Sequence, residues 1–389
     1  MTVPVDAKAA RPPNFPGGGL NLLKFVEAGT GLEIELEPFE SKQFAVKPLD
    51  FSQLLGVLDS ERPSFPVEIR NVAAVRDAGG LPAGKALVVN ATMEADCAPI
   101  AFGLVDGGWL PMPWANKRIA LLDRNVVIKL EKLQASLGGE NPALLTQWLG
   151  LDSETVSPLL FALEGPRRRL PNEAEMDEEL GRAQKALANL LPGAKVQQVG
   201  PVERAALRRI MLEQVQPREK ATRFLLKAAP LVVNRVKPAQ RLALETEVSR
   251  LAAAEGMRRG SLAFLAVVSC IYDGNPPSAH RAATPGRAVL KPRAGYSAED
   301  AYNALADLSF LELLFNAGAL LTGTSFVLYT ADAGLAAVWA ALHPCRSELE
   351  HLGGDISRTT MTFNMNGGLY PDLSDAQVQE LADRISRDL

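Results

Sequence analysis

The segment IALLDRN at residues 119–125 decides the fold class, because its pattern changes from strand to helix around a single aspartate. A run of four apolar residues such as Ile119–Leu122 is typical of a parallel strand that is covered on both faces. Asp123 follows this run directly, and residues 126–137 have a helical pattern that two glycines close. We therefore predict the first half of a β-α-β unit. Asp123 would lie at the carboxyl end of its strand, where open α/β sheets collect functional groups.

The same order of strand, aspartate and helix recurs in the segment FVLYTADAGLAAVW at residues 326–339. Its β-branched and aromatic residues predict a strand that ends shortly before Asp332. The apolar residues that follow predict a helix over residues 333–342. The chain thus leads from a strand through an aspartate into a helix at two places.

Two other segments place acidic residues on predicted helices. The segment SPLLFALEG at residues 157–165 has a proline near its start and a glycine at its end, so it predicts a short helix with Glu164 at the end of its apolar face. The segment SAED at residues 297–300 is a capping-box signature. It opens a predicted helix over about residues 298–316.

Three polar residues share one face of this later helix, because Asp300, Asn303 and Asp307 are spaced at i, i+3 and i+7. Asp300 already has a structural role as the acid of the capping box. Asp307 lies in mid-helix beside apolar residues, where aspartate is an unfavourable helix former. We therefore expect Asp307 to have another use.

Shifts in composition divide the chain into domains. We expect a domain of α/β class, with a mostly parallel sheet, joined to an N-terminal β-rich (α+β) domain. Within the α/β domain we predict two or three basic helices over residues 203–271, interrupted at Pro217, Pro230 and Pro238. Residues 275–292, which are rich in proline, alanine and arginine, predict a loop. The predicted parts are a disordered lead-in (1–19), the β-rich domain (20–115), the α/β domain (116–355) with a basic helical insertion (about 195–292), and a C-terminal extension that ends in a helix (356–389).

Composition excludes several classes of protein and site. The residues are 47% hydrophobic and 22% charged, the balance of a globular protein. The 3 cysteines form no CxxC pair and there are only 3 histidines, which argues against a disulfide framework, a zinc finger and a multi-histidine metal site. No run of eighteen apolar residues is present, and the first residues have no apolar h-region, so we expect no secretory signal. We therefore expect a cytoplasmic protein with no membrane partner.

The net charge of −4 hides a basic block, since residues 203–293 hold 17 Lys and Arg against 7 Asp and Glu. Such a block is the usual electrostatic signature of a surface that binds a polyanion. The alternative is a set of amphipathic helices with solvated arginine faces. The arginines that we select as candidate nucleic-acid contacts are Arg208, Arg209, Arg218 and Arg223.

Catalysis in this chain would depend on carboxylates, because the common nucleotide-binding and nucleophile motifs are absent. There is no Walker A run, no GxGxxG after a strand and no GxSxG elbow. Taken singly, each acid at an element end has an alternative role as a helix cap or a solvated charge. Taken together, four of them form a candidate site: Asp123, Glu164, Asp307 and Asp332.

These motifs resemble the PIN-like domain, a nuclease fold that is also seen in many bacterial toxins and RNA-processing enzymes. IALLDRN is similar to the opening strand of that family with its first acid, and SPLLFALEG lies at a suitable spacing for the family's glutamate. FVLYTADAGLAAVW resembles the closing strand, Thr-x-Asp and helix. The resemblance implies these roles: Asp123, Glu164, Asp307 (with Asp300 as second choice) and Asp332 as metal-binding and catalytic acids, and Thr330, Asp300 and Asn303 as supporting groups.

The resemblance also implies a three-layer fold and an activity. A carboxylate cluster that holds Mg²⁺ or Mn²⁺, hard cations that prefer oxygen ligands, would hydrolyse phosphodiester bonds. We expect an endoribonuclease, with RNA a better substrate than DNA, and the basic block as its backbone-binding surface. The alternatives left open are another carboxylate-using hydrolase such as a phosphatase, and a non-catalytic binding or assembly module. A protein partner for the N-terminal domain and self-association also stay open.

Overall fold

The structure of the protein, a computed structural model, has the α/β class that the sequence predicts. The helices that precede residue 200 are short or of medium length, whereas those between residues 201 and 320 form a packed helical region between two strands of one sheet. The structure describes residues 5–6, 23–26, 33–36, 47–60, 64–69, 75–78, 91–96, 100–115, 118–136, 146, 149, 151, 154–164, 171–320, 324–342, 344–353, 356–363 and 368–386.

The secondary structure of these residues is as follows. The α-helices are Phe51–Asp59, Arg124–Ser136, Leu159–Glu164, Glu173–Leu190, Pro201–Ala228, Arg241–Ala254, Leu262–Ile271, Pro285–Leu290, Ala298–Leu320, Ala333–Leu342 and Asp375–Ser386. Short 3-10 helices are Met112–Trp114, Ala229–Val232, Pro238–Gln240 and Arg281–Ala283. The strands are Val5–Asp6, Leu23–Val26, Glu33–Leu36, Ser64–Ile69, Val75–Ala78, Ala91–Asp96, Phe102–Val105, Gly108–Pro111, Ile119–Leu122, Thr155–Ser157, Lys195–Val196, Phe326–Thr330, Pro344–Gly353 and Ile356–Phe363. Across the described part of the chain, no helix combines the length and the apolar character that crossing a membrane requires.

A mixed sheet of six strands forms the centre of the α/β fold. The central strand (Ile119–Leu122) pairs in parallel with Thr155–Ser157 on one side and with the closing strand (Phe326–Thr330) on the other. Lys195–Val196 extends the parallel part beyond Thr155–Ser157. Because the chain moves outward from the central strand to one side and then returns to its other side, the order of strands reverses between the central and closing strands.

An antiparallel edge hairpin (residues 102–111) completes this sheet beside the closing strand. The indole of Trp339 holds it in place, donating hydrogen bonds of 2.8 Å to the carbonyl oxygens of Val105 and Gly108. The sequence interpretation assigns residues 20–115 to a separate N-terminal domain. The sheet therefore includes two strands from that predicted domain.

Apolar side chains cover both faces of the sheet, so the fold has three layers. Leu121 of the central strand joins a core with Phe264 and Trp339 from helices on one face. Leu122, its neighbour, joins a second core with Val126 and Leu187 from helices on the other face. This alternation is the two-residue period of a strand, and it explains why the wholly apolar run at residues 119–122 indicated a doubly covered strand.

The remaining described strands form smaller sheets. Strands between residues 5 and 96 form two three-stranded sheets. Of the predicted lead-in, residues 1–19, the structure describes Val5–Asp6, which pairs with Ala91–Asp96, and the other residues of that prediction lie outside the described part. Pro344–Gly353 and Ile356–Phe363 form an antiparallel pair across the predicted domain boundary at residue 355. The C-terminal helix of the predicted extension is Asp375–Ser386.

The long basic helix (Pro201–Ala228) differs from the sequence prediction, because it continues through Pro217. An internal proline removes one backbone hydrogen bond and crowds the preceding turn. The turns after Pro217 nevertheless bury Phe224, Leu225 and Ala228 in the main core. Tertiary packing thus maintains a helix that the local sequence disfavours.

The predicted loop at residues 275–292 is also corrected, because it contains a buried helix, Pro285–Leu290. Its proline occupies the first turn, where the missing N–H costs little. A side-chain carbon at Gly286 would lie 2.2 Å from the carbonyl oxygen of Ala266. The glycine is therefore required for close packing of two helices, rather than for a turn.

Buried ion pairs attach the C-terminal segment to the helical region. The carboxylate of Asp372 accepts hydrogen bonds from the amides of Gly274 (2.6 Å) and Asn275 (2.7 Å) and pairs with Arg241. Arg384 of the C-terminal helix donates two hydrogen bonds to Glu245, at 2.9 and 3.0 Å. The C-terminal segment is thus tied to helices that precede it by about a hundred residues or more.

We expect Asp372→Ala to lower the free energy of unfolding by about 3 kcal/mol or more, because removing one partner of a buried pair leaves the other charge uncompensated. The side chain of Asp372 is 2% exposed and that of Arg241 is 14% exposed. Urea denaturation followed by circular dichroism measures the change. The control is Asp383→Ala at an exposed site of the C-terminal helix, which should change stability by less than ~0.5 kcal/mol. If the two substitutions changed the free energy of unfolding equally, the pair of Asp372 and Arg241 would not stabilise the attachment of the C-terminal segment.

Candidate functional site

The candidate site lies where the strand order of the sheet reverses. In open α/β sheets, ligands bind outside the carboxyl ends of the strands at such a switch point. Asp123 follows the central strand and Asp332 follows the closing strand, and these two strands are parallel neighbours with Leu122 opposite Tyr329. Both predicted strand-terminal aspartates therefore lie at the switch point.

Asp123 is a buried helix cap, with 3% of its surface exposed. Its backbone amide continues the sheet by donating to the carbonyl oxygen of Tyr329 at 3.1 Å. Its Oδ1 atom accepts a hydrogen bond of 2.7 Å from the amide of Val126 in the first turn of Arg124–Ser136. The strand end and the helix start together fix the direction of this carboxylate.

The surroundings of Asp123 raise its pKa from 3.8 to about 6. Burial is the largest cause, and the nearby charge of Asp332 acts in the same direction. Hydrogen bonds from the hydroxyl of Thr330 and from the amides of Val126 and Ala331 oppose the increase. Since a neighbouring carboxylate disfavours a second negative charge, Asp332 lies close enough to Asp123 to oppose the ionisation of Asp123.

Asp332 caps the helix Ala333–Leu342 and shares a hydroxyl group with Asp123. Its Oδ1 atom accepts hydrogen bonds from the amides of Gly334 (2.7 Å) and Leu335 (3.2 Å). Its own amide donates to the hydroxyl oxygen of Thr330 at 3.0 Å. Thr330 is fully buried and also donates to the carboxylate of Asp123. Thr330, which the sequence motif predicts as a supporting hydroxyl, thus hydrogen-bonds to both aspartates.

A lysine completes the described surroundings of this pair. The Nζ atom of Lys291 lies 3.9 Å from Oδ2 of Asp332. Lys291 follows the buried helix Pro285–Leu290 with φ of 51°, and among the described non-glycine residues it alone has a positive φ. A left-handed conformation costs a non-glycine residue about 1–2 kcal/mol. This conformation ends the helix, where the amide of Lys291 donates to the carbonyl oxygen of Arg287.

The other two predicted acids are not shown to join the pair. Glu164 is the last residue of the helix Leu159–Glu164, and its side chain lies outside the described part of the structure. Asp307 is partly exposed on Ala298–Leu320 and makes contacts of its own. Among the described residues, no three His, Cys, Asp or Glu side chains are grouped closely enough to hold a metal ion.

Asp300 has the structural role that the capping box predicts. The amide and hydroxyl of Ser297 donate to its Oδ2 atom at 2.8 and 2.9 Å, and the Nε atom of Arg293 donates at 2.8 Å. Burial acts to raise its pKa, but these bonds from Ser297 and Arg293 outweigh burial and lower the pKa below its ordinary value. Asn303 is exposed on the same helix.

The four candidate arginines have different surroundings. Arg208 pairs with two acids of Glu173–Leu190, at 2.6 Å from Glu173 and 3.2 Å from Asp177. Arg223 pairs with Glu255 at 2.7 Å. The guanidinium carbon of Arg218 lies 4.5 Å from the centre of the Tyr302 ring. Arg209 is exposed and makes contacts of its own.

Hydrogen bonds within the protein do not use every acceptor position of the aspartate pair. The carboxylate of Asp123 accepts three hydrogen bonds from the protein, and a carboxylate has about four acceptor positions. Oδ2 of Asp332 faces Lys291 at a distance longer than a hydrogen bond. Carboxylate oxygens are ligands that Mg²⁺ and Mn²⁺ prefer.

Sequence reasoning missed two features of the site. Lys291 falls within the predicted loop, and the sequence offers no signal that links it to Asp332. The reversal of strand order depends on the short strands Thr155–Ser157 and Lys195–Val196, which the sequence analysis did not predict. Comparison of the chain with protein-family models, with curated proteins and with solved structures gives no match.

Proposed function

We propose that this protein is a divalent-metal-dependent nuclease with a PIN-like α/β domain, and that it cleaves RNA internally. The observation that supports the proposal best is that Asp123 and Asp332 both contact Thr330 at the switch point of the sheet, Asp123 through its carboxylate and Asp332 through its backbone amide. Two carboxylates with free acceptor positions at the carboxyl edge of a parallel sheet suit the binding of a hard cation.

In this proposal Asp123 and Asp332 hold Mg²⁺ or Mn²⁺, and Glu164 and Asp307 are the further acids. The bound ion would activate water and stabilise the leaving oxygen of a phosphodiester. The residues of the chain orient the site: amides at the two helix starts hold the carboxylates of Asp123 and Asp332, and Thr330 bonds to the carboxylate of Asp123 and to the backbone amide of Asp332. The ammonium group of Lys291 would contact a phosphate oxygen, since its Nζ atom lies 3.9 Å from Oδ2 of Asp332.

The test is hydrolysis by the purified chain of single-stranded RNA, single-stranded DNA and p-nitrophenyl phosphate, each with Mn²⁺ and with EDTA. We expect Mn²⁺-dependent internal cleavage of RNA and slower cleavage of DNA. Hydrolysis of the small ester alone would indicate a phosphatase instead. The absence of all three activities with Mn²⁺ would contradict the proposal.

A second candidate is a non-catalytic module that binds nucleic acid or assembles with a protein partner through its N-terminal β-rich segment. Specific contacts favour it: both aspartates already cap helices, and Arg208 and Arg223 already pair with carboxylates of their own chain. In that case the carboxylates would serve the fold. The hydrolysis assay distinguishes the candidates, because the module would leave every substrate intact.

We expect the double substitution Arg208→Gln and Arg209→Gln to weaken RNA binding and to flatten its dependence on salt. Each lost phosphate contact reduces the slope of log K against log [salt] by about 1, so the slope should fall by about 2. Fluorescence anisotropy with labelled RNA in EDTA measures binding without cleavage. The control is Arg182→Gln, because Arg182 pairs with Glu178 and Glu179 outside the basic block. An unchanged slope in the double variant would assign these arginines to a solvated helix face.

A further inference from the structure

A cavity of about 530 Å³ lies within the helical region, apart from the aspartate pair. Its wall is formed by the second half of the long basic helix, by the turn at residues 256–261 and by the helix Ala298–Leu320. This volume is within the range of pockets that hold small molecules. Neither Asp123 nor Asp332 lines it, so the cavity is a separate feature of the molecule.

The interior of the cavity is mostly apolar. The apolar side chains of its wall include Met257, Leu305, Leu308, Phe310 and Leu313. Leu305, Leu308 and Phe310 also belong to the main core. Walls that belong to a packed core keep their shape without a ligand, and such pre-formed apolar pockets are typical of small-molecule sites.

The charged groups of the cavity are mainly cationic. Three basic side chains line it, Arg218, Lys220 and Arg258, against one carboxylate, Glu312. Arg218 is fixed above the ring of Tyr302 and also donates to the carbonyl oxygen of that residue at 3.3 Å. Burial raises the pKa of Glu312, which the charge of Arg218 opposes. The balance of charge therefore favours an anionic ligand.

Two of these cations are available to such a ligand. Within the described part of the chain, Lys220 and Arg258 have no ion-pair partner, whereas the neighbouring Arg223 and Lys227 both pair with Glu255. Lys220 lies beside the turn at Gly256, since a side-chain carbon built at that glycine would be 3.6 Å from its Nζ atom, an ordinary van der Waals distance. Gly256 also has φ of 66°, which disfavours any other residue.

We infer that this cavity binds a small organic anion, whose apolar body contacts the core side chains and whose carboxylate or phosphate group contacts Lys220 and Arg258. The apolar wall accounts for the body and the unpaired cations for the head group. An acyl carboxylate and a nucleoside monophosphate share this chemistry. The inference does not depend on the nuclease proposal, since its residues are not those of the aspartate pair.

The test uses the fluorescent dye 8-anilinonaphthalene-1-sulfonate, an aromatic anion, with the full chain. We expect saturable binding with a stoichiometry of one. The neutral analogue N-phenyl-1-naphthylamine should bind about tenfold more weakly, the effect of a charge-assisted hydrogen bond. The double variant Lys220→Met and Arg258→Gln should bind both dyes equally. Decanoate and AMP are then used as competitors, and displacement by one of them identifies the head group.

The matched control is Arg250→Gln, which removes an exposed cation that pairs with Glu247 and does not line the cavity. It should retain the preference for the anionic dye. A second variant, Ser309→Phe, places a large side chain in the cavity wall and should reduce binding of both dyes. Thermal melting of each variant shows whether it is folded. The inference would be overturned if the folded double variant kept the wild-type preference for the anionic dye. It would also be overturned if neither decanoate nor AMP displaced the dye.

Discussion

Asp332→Asn is expected to reduce Mn²⁺-dependent RNA cleavage by at least ~100-fold, because losses of 10- to 100-fold are already typical for groups that merely support metal ligands. The fold should be retained. Asparagine caps helices about as well as aspartate, so its side-chain oxygen can still accept from the amides of Gly334 and Leu335. The substitution therefore separates the negative charge of Asp332 from its structural role. Initial rates on labelled RNA, with melting temperatures of both proteins, measure the two effects.

The matched control is Asp50→Asn, at another aspartate that caps a helix. Oδ1 of Asp50 accepts from the amide of Gln53 at 2.9 Å at the start of Phe51–Asp59. This variant removes the same charge from the same kind of position and should cleave RNA at the wild-type rate. If Asp332→Asn cleaved RNA as fast as the control with Mn²⁺ still required, Asp332 would be a helix cap alone.

Asp123→Asn is expected to change how stability depends on pH. The pKa of Asp123 is raised from 3.8 to about 6 by burial, so folding favours its protonated form. The stabilisation that the protonated carboxyl of Asp123 gives to the folded state is fully present below pH 3.8. It is lost as the pH rises through about 6. A shift of this size corresponds to about 3 kcal/mol. In EDTA, the variant should therefore gain about 3 kcal/mol relative to the wild type between pH 4 and pH 8.

The same variant should respond less to metal. An ion that binds the folded state at 100 times its Kd raises stability by about 2.7 kcal/mol, so Mn²⁺ should raise the melting temperature of the wild type at pH 8. Asp123→Asn, which lacks one of the two carboxylates, should show a smaller increase. Asp106→Asn, at an exposed turn of the edge hairpin, serves as the control and should follow the wild type in both experiments. Equal metal responses in all three proteins would exclude Asp123 as a ligand.

The parts of the fold that sequence could predict are those with local signals. The central and closing strands are apolar runs that lead into helices, and each places an aspartate at a helix start. The strands Thr155–Ser157 and Lys195–Val196 are three and two residues long, too short to show a period. These two segments are strands because neighbouring strands of the sheet pair with them, and not because their own residues have a strand pattern.

In the candidate site, too, the sequence could indicate contacts between residues that are close along the chain, but not contacts between residues that are far apart. Thr330 and Asp332 are two residues apart, so their hydrogen bond is part of a local motif that the sequence could indicate. The contact of Lys291 with Asp332 joins residues 41 apart and depends on the packing of Pro285–Leu290. The charge pattern of the sequence also does not predict where each basic residue lies. Arg218 belongs to the basic block in the sequence, but in the structure it lies in the wall of an apolar cavity.

The position of the closing strand has a consequence for synthesis of the protein. This strand lies between the central strand and Phe102–Val105, yet 204 residues separate Leu122 from Phe326 along the chain. At about 5–20 residues per second, the ribosome needs roughly 10–40 s to supply it. During that interval both earlier strands have unpaired backbone edges, which attract other chains. The yield of native protein therefore depends on how well the cell shields these edges during translation.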